Sequence, residues 1–383
     1  MRGDDVAILH DRLQIRGGAE RVAFEIAREF DAPIYAGLVD DDVVPDDIES
    51  VELFGSQLDE FVYDHLPPMS SLYKAIRWSH VDDVWEFDTL IQTKEQAAWL
   101  MTSDDQTVVR YVHTPPRWMY DRWHSRSPGI GSRAMALGLR ALHRGQPEPT
   151  LWIANSDVVA KRASRAYGVD PDEIRVIYPP VETSGLSARS HDYRDDYYVT
   201  IGRLRSHKRT EEIIRVCNET ERRLVVAGDG PQRDYLEGIA GPTVDLVGYV
   251  SEAEKRRLLQ EARGFIFAAA AEDFGIVPIE AMAAGCPVIG INDGFTQHQI
   301  IERENGLRYE RGDLAATLDQ FEETGVRWSA RAISHWTQLW FSTDRFGDEL
   351  SNAVDEAERR DEVSPPWKEV HPAAAALEGG DHS

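Results

Sequence analysis

Lysine is scarce in this chain, with six residues against 36 arginines among 383, while Asp and Glu together number 67. The formal net charge of −25 excludes a general nucleic-acid-binding surface, which needs the opposite sign. Such acidity keeps a protein soluble at the cost of self-repulsion, which concentrated salt screens. The balance therefore reads as a halophilic adaptation to a salt-rich cytoplasm, with an acidic partner-binding face as the alternative. Cysteine is nearly absent too. Cys217 and Cys286 supply neither a disulfide framework nor metal-ligand spacing, as expected of an intracellular protein with buried, inert thiols. No apolar run approaches the ~18 residues of a membrane-spanning helix, and none follows Met1-Arg2-Gly3-Asp4-Asp5, so the expected location is cytoplasmic.

Short apolar segments alternate with amphipathic ones, which indicates an α/β chain long enough for two domains. Strands are expected at 6–9, 89–92, 108–112, 151–154 and 175–178, each short and apolar, as parallel strands covered on both faces should be. A helix over 19–30 places Val22, Ile26 and Phe30 on one side. Residues 1–182 form the first domain, and the polar, serine-rich stretch 183–196 has a linker composition. A second series follows over 197–341, with strands at 197–201, 224–227, 244–247, 264–268 and 287–291 and a helix at 252–263. Residues 342–361 read as a helix, and 362–383, with Pro-Pro, an alanine run and Gly-Gly-Asp, as a disordered tail.

The densest chemistry lies in Glu272-Asp273-Phe274-Gly275-Ile276-Val277-Pro278-Ile279-Glu280. A strand runs into a glycine-containing loop and then a helix, for which Pro278 suits the first position and Gly285-Cys286-Pro287 the end. That geometry presents N–H groups and a positive dipole end to an anion at the strand ends, with Glu280 in the first turn beside it. Glu280 as a simple cap is the alternative, but Val277 stands where a capping box needs Ser or Thr. Arg203 and Lys208, five apart after a strand, can supply charge to diphosphate oxygens. Gly17 and Gly18 allow close backbone approach at a helix start, or form a plain turn. His113, after a buried-looking strand, is a structural histidine or a ligand-positioning one, and Asp11 beside His10 is the candidate helper base.

Glutamates at this spacing around Phe-Gly-Ile-Val-Pro resemble the signature of family 4 glycosyltransferases. Arg16-Gly17-Gly18-Ala19-Glu20-Arg21-Val22, Val112-His113-Thr114-Pro115-Pro116-Arg117, Asn155-Ser156, Tyr178-Pro179-Pro180, Gly202-Arg203-Leu204 with Lys208-Arg209, Ala227-Gly228-Asp229-Gly230-Pro231 and Gly248-Tyr249-Val250 occur in the family's order. The resemblance implies the GT-B fold, two facing Rossmann-like domains with the C-terminal helix crossing back to the first. It also implies a retaining, metal-independent transferase without a cofactor. Arg203 and Lys208 would grip the donor diphosphate, Glu280 the ribose, and Glu272 and His113 the donor sugar. Gly17, Gly18, Gly228, Tyr249, Val250 and Asp273, with the amides from Phe274 through Gly275 and Ile276 to Val277, would complete the donor cradle. The Arg-Gly-Gly and His-Thr-Pro-Pro segments look most like mannosyltransferases that build surface polysaccharides and lipid-linked glycans. A departure occurs at His298, flanked by Gln297 and Gln299, where the family often has another glutamate.

Residues 117–144 carry six arginines and one aspartate, with Trp118, Tyr120 and Trp123 among them. A helix over 132–143 would align Arg133, Arg140 and Arg144, suited either to an anionic membrane surface or to the chain's own carboxylates. The expected partners are a nucleotide-sugar and a glycan or polyprenyl-phosphate-linked lipid acceptor, with peripheral membrane contact and no nucleic acid. The expected activity is transfer of a hexose, mannose favoured from GDP-mannose. A catalytically silent scaffold of the same fold and a nucleotide-sugar epimerase are the rivals.

Overall fold

The computed structural model describes residues 5–15, 17–65, 67–116, 141, 144–182 and 194–359, with side chains 63–71 left aside. These residues fall into two units, 5–180 with 343–359, and 181–342. The expected linker, apart from residues 194–196, and the expected tail lie outside the described residues.

The first unit holds a seven-stranded sheet, β1 (Val6–Leu13), β2 (Ile34–Val39), β3 (Ser50–Glu52), β4 (Thr89–Gln92), β5 (Thr107–Val112), β6 (Leu151–Ala154) and β7 (Ile174–Val176). Its order is β3-β2-β1-β4-β5-β6-β7 and every described pairing is parallel. β1 pairs with β2 through Ile8 and Ile34 and with β4 through Val6 and Thr89. Helices α1 (Gly18–Phe30), α2 (Gln57–His65), α3 (Pro67–Trp78) and α4 (Asp157–Tyr167) accompany it. Val22, Ile26 and Phe30 on α1 are buried, as the periodicity requires.

The second unit holds six strands, β8 (Tyr198–Ile201), β9 (Leu224–Ala227), β10 (Val244–Gly248), β11 (Gly264–Phe267), β12 (Val288–Ile291) and β13 (Gly306–Tyr309), ordered β10-β9-β8-β11-β12-β13 and again parallel. Its helices are α5 (Thr210–Glu219), α6 (Arg233–Ile239), α7 (Glu252–Glu261), α8 (Ile276–Ala283), α9 (Thr296–Gln299), α10 (Leu314–Thr324) and α11 (Ala330–Phe341). The last helix, α12 (Thr343–Glu358), belongs to the first unit. Phe346, Leu350, Ala353 and Val354 enter the core formed with α1 and β1, each large side chain contributing about 1.5–3 kcal/mol by burial. Gly347 lies against Glu29 of α1, and Ser351 donates to Glu29 Oε1 at 2.7 Å.

Both sheets reverse strand order at one place, between β1 and β4 and between β8 and β11. Open parallel sheets bind ligands at such switch points, beyond the carboxyl ends of the strands. Three strands went unforeseen. β2 contains half-buried Tyr35 and the weak strand former Gly37, β3 has three residues, and β13 carries Arg308, so none stands out as a strand. β1 runs to Leu13, four residues beyond the expected end, because His10 and Asp11 are buried polar residues within the strand.

Candidate functional site

In the second unit, the turns after β8 and β9 meet backbone to backbone. A Cβ at Gly228, whose φ is +130°, would stand 1.9 Å from the Gly202 carbonyl oxygen, so only glycine fits. Leu204 N donates to Asp229 O at 2.8 Å and fixes the loop that carries Arg203, which is exposed, and Lys208, which is half-buried. Lys208 Nζ reaches Glu272 Oε2 at 2.8 Å and stands 5.7 Å from the Phe267 ring centroid. Glu272 lies in the loop between β11 and α8. Its backbone passes so close to Gly294 that a Cβ there would lie 2.5 Å from Glu272 N, and Phe295 N donates to Glu272 O at 3.0 Å.

Helix α8 begins earlier than its proline suggests. Gly275, at φ +81°, is the N-cap, Ile276 and Val277 open the helix, and Pro278 is third. The correction follows from glycine's access to the left-handed region and from proline's tolerance anywhere among the first-turn amides that have no intrahelical partner. Glu280 therefore sits in the second turn. It is buried, and its Oε1 accepts from Lys255 Nζ of α7 at 2.8 Å. Gln299, fully buried, donates to Phe274 O at 2.6 Å and Gly275 O at 3.0 Å, clamping the loop from α9. The Phe274 side chain packs on Phe295 and Phe341, with ring centroids 5.3 and 5.8 Å away, so only its main chain can serve a ligand. Asp273 is half-buried, Tyr249 is 81% exposed beyond β10, and Val250 is half-buried. Gln297 donates to Gly294 O at 2.9 Å, and His298 stacks on Phe295 at 5.6 Å, so both side chains have internal contacts.

In the first unit, a second charged group gathers at the switch point. His10 Nδ1 lies 2.7 Å from Thr93 Oγ1, whose hydroxyl donates to Leu9 O at 3.0 Å. The other ring nitrogen of His10, Nε2, faces the Glu20 carboxylate. Glu20 Oε1 stands 3.6 Å from that Nε2 and 3.8 Å from Lys94 Nζ. Burial raises the Glu20 carboxyl, but His10, Lys94 and a backbone amide outweigh it and hold the group at about 2. Burial lowers His10 against the pull of Glu20, and it lowers His113 well below its usual range, with Lys94 and His10 adding to the effect. His113 is thus a neutral imidazole, its Nε2 buried without a hydrogen-bond partner and its ring 5.1 Å from Tyr111. Asp11 Oδ2 is bound to Lys74 Nζ at 2.9 Å, both side chains 10% exposed. The candidate helper base Asp11 thus has one oxygen held by Lys74, while its buried Oδ1 has no hydrogen-bond partner.

Gly17 is the N-cap of α1, and Gly18 opens the helix. A Cβ at Gly17 would fall 2.4 Å from Glu20 Oε2, so a carboxylate already covers this helix end. An anion of the donor at Gly17 and Gly18 would face Glu20. Arg133 and Arg140 lie outside the described residues. Arg144 is exposed and its Nε donates to Ala166 O at 3.4 Å. Among the described residues no cluster of three His, Cys, Asp or Glu could hold a metal, and no helix is long and apolar enough to cross a membrane.

The model for Glycosyltransferase Family 4 matches residues 16–184, and that for Glycosyl transferases group 1 matches residues 188–333. The chain belongs to the family 4 glycosyltransferases. This family 4 member is 33% identical over 177 residues to an uncharacterized glycosyltransferase of Methanocaldococcus jannaschii, covering 40% of this chain and 45% of the relative. It is 28% identical over 169 residues to the O-antigen chain mannosyltransferase RfbU of Salmonella typhimurium, covering 41% and 46%. The chain thus spans about half the length of these relatives. Among solved structures, Anabaena HepE in complex with UDP and glucose aligns with TM-score 0.69 at 17% identity over 91% of this chain and 99% of that one. The lipopolysaccharide outer core galactosyltransferase WaaB aligns with TM-score 0.67 at 16% identity over 92% and 99%. The family 4 member has the GT-B fold.

Glu20, Lys74, Lys94, Lys255 and Gln299 had no role in the sequence reading. The signal that could have found three of them, Lys74, Lys94 and Lys255, is lysine scarcity. Of the five described lysines, Lys74, Lys94, Lys208 and Lys255 each pair with a carboxylate at one of these two places.

Proposed function

We propose that this chain is a retaining, metal-independent glycosyltransferase that moves a hexose, mannose favoured, from a nucleoside diphosphate sugar to a glycan or lipid-linked acceptor in surface-glycan or glycolipid assembly. The observation that carries the reading is the Lys208–Glu272 pair at the β8–β11 switch point, with exposed Arg203 on the same loop and the first-turn amides of α8 nearby in the chain. Breaking the bond between the anomeric carbon and the diphosphate puts negative charge on phosphate and positive character on the sugar. Arg203 and Lys208 stabilise the first, and Glu272 holds sugar hydroxyls beside the second. The acceptor oxygen forms the new bond on the same face, and its proton passes to the leaving phosphate oxygen. No protein nucleophile or base is required, and His113, held by burial well below its ordinary range, is a weak proton acceptor. Neutral His113 positions the sugar by hydrogen bonding.

Mannose is favoured by the mannosyltransferases among the relatives, RfbU and the ALG2 protein of Eremothecium gossypii. The structural neighbour HepE binds UDP-glucose, so GDP and UDP are both compared. The arginine-rich segment 117–144 supports peripheral contact with the inner face of the cell membrane and a polyprenyl-phosphate-linked acceptor. Thermal shifts in high salt with GDP, UDP and ADP identify the base. Turnover of the matching donor, GDP-mannose first, with a polyprenyl-phosphate-linked glycan in chelator should then yield an α-linked product from an α-donor. Release of free nucleotide from donor alone at the full rate would favour an epimerase, and binding without turnover would favour a silent scaffold.

A further inference from the structure

The second unit contains a cleft of about 510 Å³ that no step of sugar transfer uses. Its walls include Arg194, Arg327, Arg331, Trp328, Pro287 and Ile333. The volume lies in the range of small-molecule sites. Pro287 leads into β12, whereas Gly202, Gly228 and Glu272 follow the carboxyl ends of β8, β9 and β11. In a parallel sheet these are opposite edges, separated by the length of a four-residue strand, roughly 13 Å. The cleft and the donor crevice are therefore separate places.

Three arginines and no carboxylate line the cleft, in a chain whose net charge is −25. Arg194 is a fixed wall, donating to Leu259 O at 3.2 Å, Ala262 O at 2.8 Å and Ala284 O at 3.1 Å. Arg327 reaches Glu304 Oε1 at 3.1 Å and remains largely exposed. Arg331 is the second residue of α11, whose N-cap is Ser329, and it forms no hydrogen bond or ion pair among the described residues. A helix N-terminus carries a positive partial charge, so cations on both sides of it repel the dipole unless an anion sits between them. Trp328, Pro287 and Ile333 give the remaining wall an apolar character suited to a ring.

We propose that this cleft is a second ligand site, for a phosphomonoester whose organic body is a sugar or a nucleoside. The phosphate meets Arg331 and Arg327, and the body lies along Trp328. The cleft is not isolated from the donor loop. Trp328 lies 6.1 Å from Trp336, Trp336 lies 5.8 Å from Phe341, and Phe341 lies 5.8 Å from Phe274 between Glu272 and Glu280. Binding at the cleft that shifts this aromatic row would alter nucleotide affinity, and linkage would return the same factor.

The test is calorimetric titration of the full chain, saturated with GDP or UDP, using AMP, glucose 1-phosphate and inorganic phosphate as probes. AMP and glucose 1-phosphate distinguish a nucleoside body from a sugar. We expect one of them to bind at least about tenfold more tightly than inorganic phosphate, and Arg331→Gln, an exposed change, to weaken it by about tenfold or more. Absence of binding by both organic probes, equal binding of inorganic phosphate, or unchanged affinity in Arg331→Gln would overturn the proposal. Because the readout is binding, it holds whether or not sugar transfer is observed.

Discussion

The two units handle their paired lysines differently. In the first, Lys74 and Asp11 are each 10% exposed, closed in beneath the switch point. In the second, Lys208 and Glu272 are 24% and 20% exposed, open to whatever enters the crevice. A closed pair cannot exchange its partner for a ligand without unpaired burial, whereas an open pair can. The same chemistry thus gives a closed pair in one unit and an open, exchangeable one in the other. Lys74→Met should break this comparison most sharply, because it leaves the buried Asp11 carboxylate without its ammonium. Loss of one partner of a buried pair costs about 3–5 kcal/mol, so denaturant unfolding should show a large fall in midpoint. A midpoint within experimental error of the parent would show that the pair is not closed in solution.

Lys208→Ala and Arg203→Ala should have the opposite profile. Both groups are partly or fully exposed, so the folded state loses little, while kcat/KM should fall by ~10²-fold or more, equivalent to about 2.7 kcal/mol of transition-state stabilisation. The Lys208 variant also releases Glu272, so the Lys208→Ala, Glu272→Gln double variant should be less impaired than the product of the two single effects. Steady-state kinetics on the Lys208→Ala, Arg203→Ala, Glu272→Gln and double variants decide it, and near-normal turnover in both cation variants would remove the diphosphate role.

This contrast also explains what was legible in the sequence. The second-unit site is written in short segments, Gly202 to Lys208 and Glu272 to Glu280, each spanning one strand end and the following turn. Local spacing therefore exposes it. The exact start of α8 was missed because Pro278 is compatible with any early helical position, while Gly275 alone marks the cap. The first-unit cluster draws His10 from β1, Glu20 from α1, Lys74 from α3, and Thr93 and Lys94 from the turn after β4. Residues separated by as many as 83 positions meet only through the parallel sheet order, as His10 and Thr93 do, and no local pattern records that. The interrupted strands β2, β3 and β13 failed for a related reason, since neighbours in the sheet supply burial that their own composition does not advertise.

Acid should act on the first unit before the second. His10 and His113 both titrate below their ordinary value of 6.5 because they are buried, so the folded chain stays neutral there while the unfolded chain takes up protons. Stability must then fall as pH drops below about 6.5, by about 1.4 kcal/mol per pH unit for each histidine until its folded pKa is reached. Glu20 acts in the same direction lower down. Its carboxyl is held at about 2 in the fold against 4.5, so its stabilising contribution is present above pH 4.5 and is lost as pH falls towards 2. Urea unfolding at pH 6.5 and 5.5 should show a smaller difference in His113→Gln than in the parent. Equal differences would mean that His113 is solvated and titrates normally.

The smallest expected effect concerns Glu280, whose two possible duties the structure brings into conflict. Its carboxylate is buried and bound to Lys255, so the Gln variant should lose some thermal stability as well as nucleotide affinity. Stability alone cannot then distinguish a ribose ligand from an internal ion-pair partner. Lys255→Met supplies the control, since it breaks the same pair while keeping the carboxylate in place. If Glu280 accepts ribose hydroxyls, Glu280→Gln should weaken nucleotide binding by about tenfold, the loss of a charge-assisted hydrogen bond, and more than Lys255→Met does. Calorimetry on both variants at equal salt gives the comparison. Equal losses would assign Glu280 to holding α7 against α8, and the ribose role would then pass to another group on the same loop.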